Sequence, residues 1–435
     1  MTAFLILYVL FGAILVVRSK YKILCNELFY LGMFWALILG VYLSSGVVFR
    51  RYGLSIELVL FVFCCATALL VGRKNGKLSK VKVFSDSAKQ ISTVNFAILG
   101  LLGVLLFVYD LYRLNGIMIF IHDAPGKNNG FNISILGALG SLLVPILLVE
   151  GLYLYSTKLK YENSFSLIGF LLLIGYTVPC ILNNGRESLA YVLVSMIAIY
   201  GYVQITKTTE KRKIDLKKLV YRLMLALGAV FFVWMLFNIS SDRFGQNEIN
   251  TFLVRREISA DKIKEAESWG ELEFLYYNIA SYFSHQISFL DFTIKEYEGP
   301  YLYGMFELNI ISRRLPDFLN LDYRSVFQSF EKLYSTKSVS YSGAWNTVLG
   351  SFICDFGRIG TIFVCYFLGL VLGKIRRKFE YNYDIRYAVL IAIICASSFS
   401  TIQLGPFFNP LVYGSYIWWM VIFMRNEKNV LPKIR

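Results

Sequence analysis

The chain has 435 residues, 56% of them hydrophobic and 17% aromatic, but only 17% charged, whereas soluble globular domains carry about 25% charged residues. A mean hydropathy of +0.55 excludes an ordinary water-soluble fold. The formal charge of +15 leaves two explanations, a polyanionic partner or a membrane-orientation signal, and the placement of the charges decides between them.

Apolar runs fall at 2–17, 27–45, 54–71, 93–111, 133–155, 165–182, 188–205, 219–240, 345–373, 385–404 and 411–424. Most approach the ~20 residues an α-helix needs to cross ~30 Å of hydrocarbon, and none shows the two-residue alternation of a membrane barrel. The expected fold is an all-α polytopic membrane protein with about eleven transmembrane helices. With the N-terminus outside, the inner loops and the tail hold 26 basic residues. The short outer loops hold five: Arg50, Arg51, Arg113, Lys127 and Arg186. This positive-inside pattern puts the C-terminus in the cytoplasm and accounts for the charge without a nucleic-acid partner.

The first run, 2–17, has no basic region ahead of it and no small-residue cleavage site behind it, so it reads as a retained signal anchor. The seven cysteines lie in or beside apolar runs, with no CxxC pair. They are expected to be core residues, not disulfides or zinc ligands. Gly72-Arg-Lys-Asn-Gly76-Lys77-Leu78 imitates a phosphate-binding loop but is one residue short and ends in Leu. A smaller outer loop, 115–132, carries His122 and Asp123.

Asn183-Asn184-Gly185-Arg186-Glu187-Ser188 stands at the outer start of the seventh run. Asn and Gly suit a helix N-cap, whose free N–H groups together with an arginine fork form an anion site. A capped helix with a snorkelling interfacial arginine fits the same residues.

One long loop, 241–343, separates the runs at 1–240 from those at 344–435, and all three parts form one integrated membrane domain. The loop holds eleven basic and fifteen acidic residues and many aromatics. A stretch such as 271–294 is amphipathic enough to lie on the membrane as a helix or to cap a cavity. Within it Asp242, Arg243, His285, Arg313, Arg314 and Arg324 offer a base and cations at the outer surface. Asp355 and Arg358, ten to thirteen residues into the ninth run, are i,i+3 and form a candidate structural ion pair ~15 Å below the surface. Gly369-x-x-x-Gly373 suits a close helix crossing. The chain lacks HExxH, G-x-S-x-G, an EF-hand loop and an Asp-x-Asp pair, and has two histidines; no metal site and no cofactor are expected.

Several of these residues resemble the Wzy-type O-antigen polymerases, the oligosaccharide repeat-unit polymerases of bacteria. They are Asn-Gly-Arg-Glu-Ser at 184–188, Pro300-Tyr-Leu-Tyr-Gly304 followed by Arg313-Arg314-Leu-Pro316, and Trp345-Asn346 leading into Asp355-Phe-Gly357-x-x-Gly360. The resemblance covers mainly 183–188 and 300–373 and implies a GT-C-like fold in the bacterial cytoplasmic (inner) membrane. It implies that a growing glycan on undecaprenyl diphosphate passes to the non-reducing end of a new lipid-linked unit. That transfer inverts the anomeric carbon and needs neither metal nor nucleotide.

The implied partners are undecaprenyl-diphosphate-linked oligosaccharides, membrane lipids, and the flippase and chain-length regulator of the same pathway. Arg186, Arg313 and Arg314 are then expected to meet the diphosphate, with Arg243 and Arg324 as further substrate contacts. Glu187, Asp242 and His285 remain alternatives for the base. An O-antigen ligase of related fold and a lipid-linked oligosaccharide flippase are the competing readings.

Overall fold

The computed structural model describes residues 2–44, 55–78, 83–84, 94–116, 134–182, 187–206, 286–299, 301–304, 306, 308, 347–402, 410–423 and 427–428. The described chain is helical apart from turns and one two-residue antiparallel pair, β1 (Val83–Phe84) with β2 (Glu427–Lys428). The helices are α1 (Thr2–Arg18), α2 (Glu27–Ser44), α3 (Ile56–Leu78), α4 (Val94–Asn115), α5 (Ile135–Leu143) and α6 (Pro145–Thr157). They continue with α7 (Leu167–Leu182), α8 (Glu187–Thr206), α9 (286–296), α10 (Val348–Asn382), α11 (Ile385–Ser397) and α12 (Pro410–Phe423).

Among the described residues six helices are long and apolar enough to cross a membrane, and four more are shorter apolar helices. Their outward faces show why they need lipid. On α10, Ile359, Phe363, Phe367 and Val371 recur every fourth residue and are each more than half exposed. An apolar stripe of this length in water would be an aggregation site; against lipid tails it is solvated. The expected run 219–240 lies outside the described residues.

Side-chain contacts fix the direction of each pass. At one end, here the lower, Glu27 at the start of α2 meets Arg73 near the end of α3 at 2.7 Å and Arg376 of α10 at 3.8 Å. At the same end Lys160, after α6, donates to Tyr202 of α8, whose hydroxyl donates to the carbonyl of Tyr383. At the opposite, upper end, Ser134 donates to Asp110 of α4, Ser55 to Asp291 of α9 and Trp35 of α2 to Thr401. Successive passes therefore alternate in direction. The runs expected to end in inner loops all end at the lower face.

Several boundaries differ from the sequence reading. The third run continues as helix to Leu78, so Arg73 and Lys77 are helical and ion-paired, Lys77 with Glu380 at 3.0 Å, instead of lying in a loop. Of the stretch 271–294, expected to lie on the membrane or to cap a cavity, the described part 286–294 is buried on every side, which excludes a surface-lying helix there. This part plugs a core made with Leu58, Phe61, Val348 and Phe352. Cys64 is exposed on the outer face of α3, whereas Cys25, Cys65, Cys354, Cys365 and Cys395 are buried as expected, and all seven are free thiols.

Gly369-x-x-x-Gly373 does make a close crossing. A Cβ on Gly369 would sit 2.1 Å from the carbonyl oxygen of Leu69, and one on Gly72 would sit 2.1 Å from that of Tyr366. The false phosphate loop Gly72-x-x-x-Gly76 is thus the other half of a parallel small-residue interface, backbone against backbone. Carried upward, this register sets Asp355 level with the first turn of α3, near Leu58. Asp355 and Arg358 therefore stand in the upper part of the bundle, seven and ten residues into α10.

Candidate functional site: an apolar groove and a broken helix

Besides a small cluster of Phe107 and Leu111, the buried side chains among the described residues form two large cores. One gathers residues of α6, α7, α8, α11 and α12; the other gathers α3, α9 and the upper part of α10, and Phe34 and Phe399 touch both. Between them runs a groove of ≈ 730 Å³. It is lined from Glu27 and Lys378 at the lower end to Val348 and Thr401 at the upper, with walls of Leu, Ile, Val and Phe in between. Trp35 and Thr401, hydrogen-bonded at 3.2 Å, close the upper part of one wall.

Behind Thr401 the wall turns polar. Its neighbour Ser400 bonds the Tyr191 hydroxyl on α8. Glu187, in the first turn of α8, is an electrostatic neighbour of both Tyr191 and Tyr176. A carboxylate suits the positive end of a helix. The Tyr176 hydroxyl is fully buried and has no hydrogen-bond partner among the described residues. Tyr176, Tyr191 and Ser400 escape a sequence reading because each sits singly inside an apolar run. The available signal is that a hydroxyl at membrane depth has to find a partner.

The second polar feature is a break in α10. Gly357 has φ 73° and ψ 175°, a conformation nearly closed to residues bearing a Cβ. A Cβ there would also press the Tyr301 ring at 3.2 Å. The break frees the carbonyls of Cys354 and Asp355, which accept from the N–H groups of Leu302 (3.1 Å) and Tyr303 (2.9 Å). The fully buried Asp355 carboxylate accepts from the Phe306 N–H at 2.9 Å.

The expected Asp355–Arg358 ion pair is not formed. Arg358 donates to the carbonyls of Ile294 and, at 3.1 Å, of Lys295. The reason is Gly357: an i,i+3 pair shares a face only on a continuous helix, and here the helix turns aside between the two residues. Close by, Lys295 holds Asp291 at 2.9 Å and reaches Glu57 at 4.0 Å.

Of the candidate site residues, Glu187, Asp355 and Arg358 are described, and all three stand at the upper end, Glu187 beside α7 and α8 and the other two at the break. Arg186, Asp242, Arg243, His285, Arg313, Arg314 and Arg324 lie outside the described residues, as do His122 and Asp123. Among the described residues no three His, Cys, Asp or Glu side chains converge. Chemically, the arrangement suits an amphiphile, with a long apolar recess below and carboxylate, hydroxyl and opened backbone groups above. No protein-family profile, curated protein or solved structure matches the chain.

Proposed function

We infer that the protein polymerises oligosaccharide repeat units carried on undecaprenyl diphosphate, for O-antigen or a similar surface polysaccharide. The observation that carries this reading is the groove. It is lined from Glu27 and Lys378 at the lower end to Val348 and Thr401 at the upper and is apolar for most of its length, which suits a long apolar tail such as a polyprenyl chain. At the groove's upper end Thr401 follows Ser400, which bonds Tyr191 in the second turn of α8, the helix that Arg186 immediately precedes in the sequence.

In this reading the protein is a metal-independent, inverting glycosyltransferase of GT-C-like fold with eleven spans in the bacterial inner membrane, N-terminus outside and C-terminus cytoplasmic. Arg186 with Arg313 and Arg314 stabilises the departing diphosphate, Arg243 and Arg324 hold substrate, and Glu187, Asp242 or His285 takes the acceptor proton. Glu187 gains support from its tyrosine neighbours. A groove between two separately packed cores also suits a lipid-linked oligosaccharide flippase, so the test has to separate the two. A knockout of the gene is examined by glycan ladder. A surface glycan reduced to a single capped repeat unit supports polymerisation; complete loss of surface glycan overturns it in favour of a flippase or ligase.

A further inference from the structure

The break in α10 ties down both ends of one extracytoplasmic segment. Ile294 and Lys295 lie in the last turn of α9, where carbonyls lack helical partners, and Arg358 supplies their donors, the second at 3.1 Å. Seven to twelve residues further on, Leu302 and Tyr303 dock on the carbonyls of Cys354 and Asp355, and Phe306 docks on the Asp355 carboxylate at 2.9 Å. Gly304, at φ 91°, turns the chain between those last two anchors. Every donor or acceptor on the α10 side comes from 354–358, on either side of the one non-helical residue.

We propose that Asp355 and Arg358 are positioning residues that hold residues 286–299, 301–304 and 306 in register against the upper part of α10. The proposal rests on the polymerase reading for its consequence. His285 is bonded directly to Gln286, and Arg313 follows Phe306 by seven residues. Anchoring the held residues therefore fixes the points from which a candidate base and a candidate diphosphate ligand depart. Positioning matters to rate because a misplacement of about 1 Å costs on the order of 10²-fold. The two anchors differ in what they require. Phe306 N–H needs only an acceptor, which an asparagine Oδ1 supplies. The two α9 carbonyls need two donors on one planar group, which a lysine does not reproduce.

The full chain in nanodiscs, wild type and Arg358→Ala, Arg358→Lys, Asp355→Ala and Asp355→Asn, is tested in two ways. Trypsin cleavage after Lys295 reads whether the segment is docked. Polymerisation of undecaprenyl-diphosphate-linked repeat units reads kcat and KM. Expected are at least about tenfold faster cleavage and about 10²-fold lower kcat, with KM little changed, in both alanine variants and in Arg358→Lys. Asp355→Asn is expected to restore both readouts. Wild-type cleavage or wild-type kcat in Arg358→Ala overturns the proposal, as does failure of Asp355→Asn while Asp355→Ala is active. If the wild type makes no polymer, the polymerase reading falls, and the cleavage rates alone then decide whether the two residues hold the segment.

Discussion

Arg186 sits one residue before α8, whose first turn carries Glu187, and the resemblance assigns it to a departing diphosphate. Charge developing on a leaving group is stabilised by donors already in place, and loss of one such donor costs about 10²–10³ in rate. Arg186→Ala is therefore expected to shorten the glycan ladder by that order in turnover at normal membrane abundance. Arg186→Lys is expected to do little better, since it keeps the charge and loses the fork. A complemented knockout scored for ladder length against membrane-detected protein makes the check, and a wild-type ladder from Arg186→Ala removes this residue from the site. Single residues are also where the sequence was hardest to read. Asp355 and Arg358 stood out as charges in an apolar run, but their partners did not, because an i,i+3 rule assumes an unbroken helix. Tyr176 and Tyr191 did not stand out at all, since tyrosine is counted among the apolar residues that define the run.

Elements were legible wherever one force dominated. Ten of the apolar runs coincide with described helices, most ends agreeing to within a few residues, because a backbone in lipid has no alternative to internal hydrogen bonding. The exceptions have local causes. The helix α3 runs on past the apolar residues because Glu27 and Glu380 are there to neutralise Arg73 and Lys77. The helix α10 is broken because Gly357 allows it and 302–306 take up the freed groups. The α3–α10 crossing was half legible, since one G-x-x-x-G was recognised and its partner was set aside as a failed phosphate loop. That crossing gives a sharp test. Gly369→Leu must drive the two backbones apart, at a cost of at least about 1–3 kcal/mol in a close-packed interface, and is expected to lower the thermal unfolding midpoint in detergent. Gly32→Ala is the control: a Cβ there meets nothing within 4 Å, and alanine is the better helix former by about 1 kcal/mol. Equal midpoints for Gly369→Leu and wild type would dissolve the parallel interface.

At the scale of the whole molecule, the direction of every described pass follows from contacts at its ends, but which face is cytoplasmic follows from charge alone. The positive-inside count treats each lysine and arginine as a free signal. At the lower end, however, Arg73, Lys77 and Arg376 are held by Glu27 and Glu380, so part of the count is internal bracing. Enough remains for the orientation to stay the expected one: Lys74 and Lys374 are exposed, and the expected inner loops and tail still far exceed the five outer basic residues. If the lower face is cytoplasmic, residues 206–218 lie inside and 241–343 outside. Ala260→Cys is then expected to label with a membrane-impermeant thiol reagent in intact cells or protoplasts, and Arg212→Cys only after permeabilisation. The native background is favourable at one key position, because burial pushes the Cys25 thiol up to about 12, against the lowering effect of Arg376 and with a small addition from Glu27. Cys25 therefore stays protonated and unreactive at neutral pH. Cys64, exposed on α3, is replaced by serine before the experiment. Labelling at 212 but not at 260 in intact protoplasts would invert the molecule. It would place the start of α8 and the α10 break on the cytoplasmic side, and with them the polymerase reading would be lost.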